Sequence, residues 1–469
     1  MKLSRVCGSR EKNGVSLYER EAAAETVPVR KNALTAIIAE EKSHQFVPED
    51  IIKFVAKPGF RAGNAEFSHT EKILPLIGPK NSSEGKGCVM DNFIFKNPTE
   101  ILFGKGMIAE IKNRIPGDRR VLFLYGGGSV KRNGVYEQVK SALRGRKVVE
   151  FSGIEPNPLF ETCLKAVSAV KKNRINFILA AGGGSVLDAG KFIAAAALFR
   201  GNDPWAILKE QGANVTGAIP VGAVLTLPAT GSESNGNSVI SKAATSEKLH
   251  FYSPFIYPVF SVLDPETTFS LPSKFVRNGI VDAFIHVMEQ YLTYPARAPL
   301  QDRFAEAILQ TLVDVGPLTL RKPGDYEARA AFMWAATLAL NSLIGCGVPQ
   351  DWSTHMIGHE ITAFYGLDHA ETLAIILPGV WEQKFASKKK KLEQYAGRVW
   401  GAAGAHEAVR KTEEFFHSLH MPTRFSDYGI SAEEAARKVR DRFRERGYVC
   451  GEHGDIGPEA AAKILRSRA

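Results

Sequence analysis

Asp282 and His286 stand four residues apart, as do His355 and His359, and His369 follows His355 by fourteen. On a helix, side chains four apart point to one face, so each pair offers half of a potential site. One carboxylate with three imidazoles is a donor set for a divalent transition metal, with a position left for water or a substrate oxygen. A lone helical histidine is more often a satisfied structural residue, whereas paired spacing in two segments favours a metal. The two pairs are far apart in the chain, so only the fold can unite them. The His359-Glu360 pair is not the HExxH motif of metalloproteases, because Ala363 stands where the second histidine is needed.

A second kind of chemistry is suggested by two Gly-Gly-Gly-Ser runs: Gly126, Gly127, Gly128 and Ser129, then Gly182, Gly183, Gly184 and Ser185. Each follows a short apolar run, at 121–125 and 177–181, that reads as a buried strand. Both turns therefore lie at the carboxyl edge of a sheet, where open α/β sheets bind ligands. Glycines there let backbone amides approach a phosphate, and a following helix N-terminus adds positive potential. Neither run fits GxGxxG or the P-loop, and either alone could be an ordinary tight turn. Two at one edge, the second leading into Asp188, favour dinucleotide binding. The loop at 225–234 carries Thr226, Thr230 and Ser232 directly after another apolar run. Its hydroxyls either bind a cofactor or cap the next segment.

The elements that must position these residues fall into three stretches. Residues 1–89 have weak periodicity apart from a possible helix over 31–41, and are expected to be a poorly ordered, non-catalytic extension. An upstream start codon read into a coding sequence beginning at Met90 would look the same. Residues 90–272 alternate strand-like runs (121–125, 147–151, 177–181, 221–227, 259–263) with helical ones (161–173, 186–199). That pattern predicts a doubly wound, Rossmann-like parallel sheet. Residues 273–469 are helix-compatible over 275–292, 301–315, 326–344, 355–364, 391–402, 406–419 and 432–445, which predicts a helical metal-binding domain. A cleft between the two is a favoured ligand site.

Composition narrows the class. The chain has 469 residues, 44% of them hydrophobic and 23% charged, which excludes collagen-like, mucin-like and coiled-coil architectures. No stretch approaches the ~20 apolar residues of a membrane span. The formal charge is +10, but the basic residues are dispersed apart from Lys388 to Lys391. That run reads as a solvated face, and nucleic-acid binding is not expected. Five scattered cysteines without a CxxC argue against a disulfide framework or a structural zinc, and point to a reducing, cytoplasmic setting. The N-terminus has no secretory signal pattern.

Several stretches together resemble the iron-containing (group III) alcohol dehydrogenase family from Met90 to the C-terminus. They are Leu102-Phe103-Gly104-Lys105-Gly106, the run from Gly182 to Asp188, that from Leu227 to Ser234, Asp264-Pro265, that from Asn278 to His286, and that from His355 to His369. Within the family, the likeness is to bacterial NADPH-dependent aldehyde reductases and butanol dehydrogenases. It is weaker after about Gly401, and the first 89 residues have no counterpart. The resemblance implies an architecture shared with dehydroquinate-synthase-like proteins and one divalent ion, Fe2+ or Zn2+, on Asp282, His286, His355 and His369. It implies a catalytic His359 facing nicotinamide and substrate. Gly126 to Ser129, Gly182 to Ser185, Asp188, Thr226, Thr230, Ser232 and Lys248 would line the cofactor cleft, and the assembly would be a homodimer.

Relatives that prefer NAD carry an aspartate in the first glycine turn, where it would repel a 2′-phosphate. Here Ser129 can donate a hydrogen bond, with Lys131 and Arg132 nearby, so NADP(H) is expected. The implied reaction is metal-assisted hydride transfer between nicotinamide C4 and the carbonyl carbon of a short aldehyde. The rival reading is a dehydroquinate-synthase-like lyase, which needs basic residues around a phosphorylated substrate. The aromatic company expected near the metal motifs, Phe284, Trp352, Phe364 and Tyr365, instead suits a small apolar aldehyde.

Overall fold

The computed structural model describes residues 89–469; residues 1–88, with the helix expected over 31–41, lie outside the described residues. The strands are β1 (Glu100–Phe103), β2 (Arg120–Gly126), β3 (Lys147–Ile154), β4 (Phe177–Gly183), β5 (Val221–Leu227), β6 (Asn237–Lys242), β7 (Glu247–Tyr252) and β8 (Phe260–Leu263). Six of them form one sheet in the order β1-β8-β5-β4-β2-β3, and every pairing in it is parallel. β6 and β7 form a separate antiparallel hairpin.

The central strands show why they read as unbroken apolar runs. Leu122, Leu124, Ile178 and Ala180 pack into the core on one face, and Val121, Phe123, Phe177 and Leu179 into the core on the other. A parallel sheet covered on both faces needs apolar residues at consecutive positions. Helices of nine residues or more are numbered here. α1 (Phe160–Asn173) and α2 (Gly184–Leu198) cover the first face, and shorter helical segments around Ile108, Val135 and Val139 cover the second.

From Ser273 onward the chain is helical: α3 (Ser273–Tyr291), α4 (Pro299–Arg321), α5 (Tyr326–Ala339), α6 (Ser353–Tyr365), α7 (His369–Gln383), α8 (Phe385–Trp400), α9 (Ala405–Ser418), α10 (Ala432–Arg446) and α11 (Pro458–Arg466). They share one core, to which α3 contributes Ile280, Val281, Phe284 and Met288. No helix among the described residues is long and apolar enough to cross a membrane.

Several elements depart from the sequence expectation for identifiable reasons. β1 is a four-residue edge strand, too short to register. The hairpin is rich in polar residues and is seated by α2: Asp188 Oδ2 accepts the Val239 N–H (3.1 Å), and the Asp188 carbonyl accepts from Ser238 Oγ (2.9 Å). α7 is buried all round from Ala370 to Trp381, so it has no apolar stripe at a 3.6-residue period to betray it. The helix expected over 326–344 ends at Ala339, where Asn341 Oδ1 takes the Leu343 N–H (3.1 Å) and Ser342 adopts φ 76°.

The lysine run is not a uniformly solvated face. Lys388 is 2% exposed and bonds Asp351 Oδ2 (2.8 Å), Glu452 Oε1 (2.9 Å) and the Leu292 carbonyl (2.8 Å). Lys391, three residues on and on the same helical face, reaches Asp302 and lies over the Tyr291 ring.

The helical part meets the sheet at Gly279. A Cβ built there would stand 2.2 Å from the Pro228 carbonyl oxygen, a fixed backbone atom. Gly279→Ala must therefore push α3 away from the loop after β5. Thermal denaturation is expected to show a loss of about 1–3 kcal/mol; an unchanged Tm would mean that this contact is slack.

Candidate metal and cofactor site

α3 carries the first half of the site. Asp282, His286 and Glu289 follow the i, i+4, i+7 pattern of a single helical face, and all are at most 3% exposed. The second half comes from α6 and the first residue of α7. α6 ends at Gly366 (φ 71°), and Asp368 starts α7 through a capping box with Glu371. This reversal returns His369 to the cluster. Asn278 Nδ2 (3.0 Å) and Lys274 Nζ (2.9 Å) of α3 hold the Asp368 carboxylate, so the helix bearing two of the ligand candidates also fixes the turn bearing another.

The Nε2 atoms of His286, His355 and His369 lie 3.6, 4.0 and 3.8 Å from Asp282 Oδ1. Ligand atoms of Asp282, His286 and His355 are all within 4.8 Å of one another. Four tetrahedral ligands about 2.1 Å from one ion stand roughly 3.4 Å apart, so Asp282, His286 and His355 need only small side-chain shifts to close on a cation, whereas His369, near Asp282 Oδ1 but outside that group of three, must move further. Asp282 Oδ1 and His355 Nε2 are buried without a hydrogen-bond partner. Burial lowers His286 to about 4 and His355 to about 3, and puts His369 well below its ordinary value. These rings are neutral, with lone pairs available, and their donor set fits a divalent ion.

His359, one turn beyond His355, is buried with its ring 5.4 Å from that of His369, and like His369 it lies outside the tight group of Asp282, His286 and His355. Of the four aromatics expected here, Trp352 alone packs on the cluster, 5.2 Å from the His355 ring and 6.3 Å from that of His286. Its φ of 61° is an uncommon left-handed value for a bulky side chain. Phe284 instead packs in the helical core against Phe415 and Phe416, while Phe364 lies under Arg442 and Tyr365 under Lys438.

The glycine runs lie at the carboxyl ends of the neighbouring strands β2 and β4, as their sequence context requires. The first leaves its backbone open: a Cβ on Gly127 or Gly128 would meet nothing within 4 Å, and Gly128 has φ 102°. Ser129, Lys131 and Arg132 are exposed beside it, with the Lys131 ammonium 4.9 Å from the Tyr136 ring centroid. The second run is also constrained by packing, since a Cβ on Gly184 would fall 2.5 Å from Thr230 Oγ1.

Asp188 and Ser232, expected along the cofactor cleft, bond each other (2.6 Å) and are buried, so they brace the loop after β5. Thr226 is buried, and Thr230 Oγ1 accepts the Ser232 N–H (3.3 Å). Lys248 Nζ donates to Asn157 Oδ1 (2.9 Å), and the Asn157 N–H reaches Ser185 Oγ (3.3 Å). Burial lowers Lys248 to about 8, opposed by Asp282, Asp188 and Asp368.

Sequence reasoning missed Asn157 and Glu289. Asn157 joins α2 and β7 from the loop after β3, with φ 54°, and the Asn-Pro dipeptide at 157–158 was its only signal. Glu289 continues the spacing of Asp282 and His286 by one more turn. The hairpin is also tied to the helical part: Arg446 pairs with Glu360 (2.6 Å) and Glu247 (3.3 Å), and Arg442 with Glu360 (3.0 Å) and the Ser246 carbonyl (2.7 Å).

A glycine-lined parallel-sheet edge, a buried lysine within electrostatic reach of Asp282, and a cluster of one carboxylate and three imidazoles define a dinucleotide- and metal-using class of protein. The chain belongs to the iron-containing alcohol dehydrogenase family. The model for iron-containing alcohol dehydrogenases matches residues 98–265, and that for the C-terminal part of the Fe-containing family matches 277–450. The chain is 52% identical over 386 residues to the NADPH-dependent aldehyde reductase YqhD of Escherichia coli (strain K12), across 81% of this chain and 100% of the relative. It is 42% identical to NADP-dependent alcohol dehydrogenase 3 of Entamoeba histolytica, across 80% and 98%. The crystal structure of the E. coli protein superposes with TM-score 0.80 at 51% identity, covering 82% of this chain and 100% of that one. That of NADH-dependent butanol dehydrogenase A from Thermotoga maritima gives 0.78 at 35% identity, with coverages of 82% and 100%.

The neutral imidazoles have a measurable consequence. His286 shifts from 6.5 down to about 4, so between those values the unfolded chain binds more protons than the folded one, and folding stability falls as the pH is lowered. Metal-free protein is therefore expected to lose Tm steadily as pH drops from about 6.5 toward 4 and to change little above 7. A flat profile through that window would show that these rings are not buried in the neutral form.

Proposed function

We propose that this protein is an NADP(H)-dependent, metal-assisted alcohol dehydrogenase acting as a reductase of short-chain aldehydes. The observation that carries the reading is the convergence of three imidazole nitrogens on one buried aspartate oxygen. Its resemblance to NADP-dependent relatives supports the cofactor and substrate class. In this reading residues 90–272 hold the dinucleotide, and residues 273–469 hold the ion on Asp282, His286, His355 and His369.

The bound ion supplies Lewis-acid polarisation of a carbonyl, and the nicotinamide supplies the hydride. The chain's own groups do the rest. Gly126, Gly127, Gly128 and Ser129 open backbone amides to the dinucleotide, and Gly182, Gly183, Gly184 and Ser185 begin α2 with its helix N-terminus toward the phosphates. Ser129, Lys131 and Arg132 favour a 2′-phosphate, because nothing acidic occupies that turn. Lys248, pinned by Asn157, supplies positive charge between the glycine edge and the metal cluster. Thr226 and Thr230 line the loop beneath, and Asp188 with Ser232 keeps that loop in place. Burial holds His359 in the neutral form, so it would act as a relay, taking a proton from water on one ring nitrogen while the N–H of the other is given to the alkoxide oxygen of the reduced substrate. Trp352 excludes water from one side of the cluster.

The dehydroquinate-synthase-like alternative is not favoured: such chemistry needs a basic substrate site, and Trp352 is what packs on the cluster. We read the protein as a cytoplasmic homodimer without nucleic-acid or membrane partners. The free, buried cysteines at 163, 346 and 450 are compatible with a reducing compartment, and light scattering in solution tests the dimer.

Two experiments test the reading. His286→Ala and His369→Ala are each expected to lose bound metal, read by elemental analysis, and to lose aldehyde-dependent NADPH oxidation. Either variant keeping both near wild-type levels refutes the ligand assignment. For cofactor choice, NADPH should bind about tenfold or more tightly than NADH, and Lys131→Ala with Arg132→Ala should narrow that gap. Equal affinity of the unmodified protein for both in a fluorescence titration removes the 2′-phosphate argument.

A further inference from the structure

Glu289 continues the ligand-bearing face of α3 by one turn and is 3% exposed. Its Oε1 accepts the Thr354 N–H (3.0 Å), its Oε2 accepts the His355 N–H (3.1 Å), and the same Oε2 lies 2.7 Å from His355 Nδ1. The two backbone groups can only donate, so both carboxylate oxygens act as acceptors, and the arrangement that satisfies all partners has Nδ1 donating as well. On the far side of the ring, His355 Nε2 is buried without a partner and faces Asp282 Oδ1 at 4.0 Å.

We propose that Glu289 is the positioning residue of the metal centre: its carboxylate accepts the His355 Nδ1–H, fixes the plane of the ring and leaves the Nε2 lone pair aimed at the ion. Histidines that bind metals almost always donate their other ring N–H to such a partner. The same group caps the N-terminus of α6, so ring orientation and helix docking are fixed by one residue; burial, with Asp351 nearby, raises its pKa to about 8, and the Thr354 and His355 N–H groups oppose that shift.

The support behind Glu289 is itself anchored. Its main-chain carbonyl accepts the Asp351 N–H (2.9 Å), Asp351 Oδ1 takes the Ser353 N–H (2.9 Å), and Asp351 Oδ2 pairs with Lys388 (2.8 Å), which also meets Glu452 (2.9 Å). A buried lysine between two carboxylates thus pins the segment entering α6. A plain helix cap would account for the two backbone bonds; it would not require the third, shorter contact to the ring.

The inference rests on the metal-centre reading above, and its test separates the two. Metal-free wild type, Glu289→Gln and Glu289→Asp are loaded with Zn2+ and with Co2+. The glutamine is nearly isosteric but must turn an N–H toward one of three donors. The aspartate keeps the carboxyl group but is drawn back from the ring, and it serves if the glutamine variant does not fold. Zn2+ affinity, from competition with a chromophoric chelator, is expected to weaken by about 10–100-fold, and the visible bands of the Co2+ form are expected to change. Zn2+ affinity within about threefold of wild type in the folded variants, with unchanged Co2+ bands, would overturn the proposal and leave Glu289 a helix cap. Wild-type protein that takes up neither ion overturns the metal-centre reading itself and this inference with it.

Discussion

A carboxylate oxygen and an imidazole nitrogen, both buried and both without a hydrogen-bond partner, are costly in a protein interior unless a cation completes them. Asp282 Oδ1 and His355 Nε2 are such a pair, and most of the helical architecture serves to bring them together. α3 supplies the aspartate, His286 and the carboxylate behind His355; α6 and the reversal at Gly366 deliver the other rings. Because burial disfavours the charged imidazolium, the rings are held as neutral donors. The polar cluster is thus a strained arrangement of lone pairs whose natural complement is positive charge.

That cluster gains a partner surface from the sheet. The glycine runs end β2 and β4, which lie side by side. Lys248 comes from the hairpin seated on α2, with Asn157 linking it to the second glycine run. The hairpin is in turn tied to α6 and α10 through Glu360, Arg442 and Arg446. Glu360 neighbours His359 in the chain, so the ion pairs that hold the hairpin against the helices also fix the helix presenting that histidine. The small residues at the junction, Gly279 above all, let α3 approach the loop after β5 closely.

Four of the five candidate residues could be paired from spacing because helices make spacing equivalent to geometry: Asp282 with His286, and His355 with His359, each share a face. The glycine runs were legible because they end apolar strands. Their separate physical reasons were not. In the first run the backbone is open and Gly128 takes a positive φ, while in the second the close approach of Thr230 forbids a side chain. Asp188 and Ser232 have a bond that motif spacing does not reveal: Ser232 Oγ donates to Asp188 Oδ1 and braces the loop after β5. Phe284 shows it again, being adjacent in sequence to the ligands and turned into the core.

The alternation of buried strands and helices, the two halves of a donor set and the glycine-lined strand ends can all be read along the chain, because they follow from local periodicity and residue chemistry. The fold adds which donors converge, that Glu289 stands behind His355, that Asn157 bridges α2 and β7 and that Lys388 is buried between carboxylates. Those facts depend on contacts between residues distant in the chain, which helical and strand periods cannot encode. A buried charge acquires its role from partners that the fold brings to it.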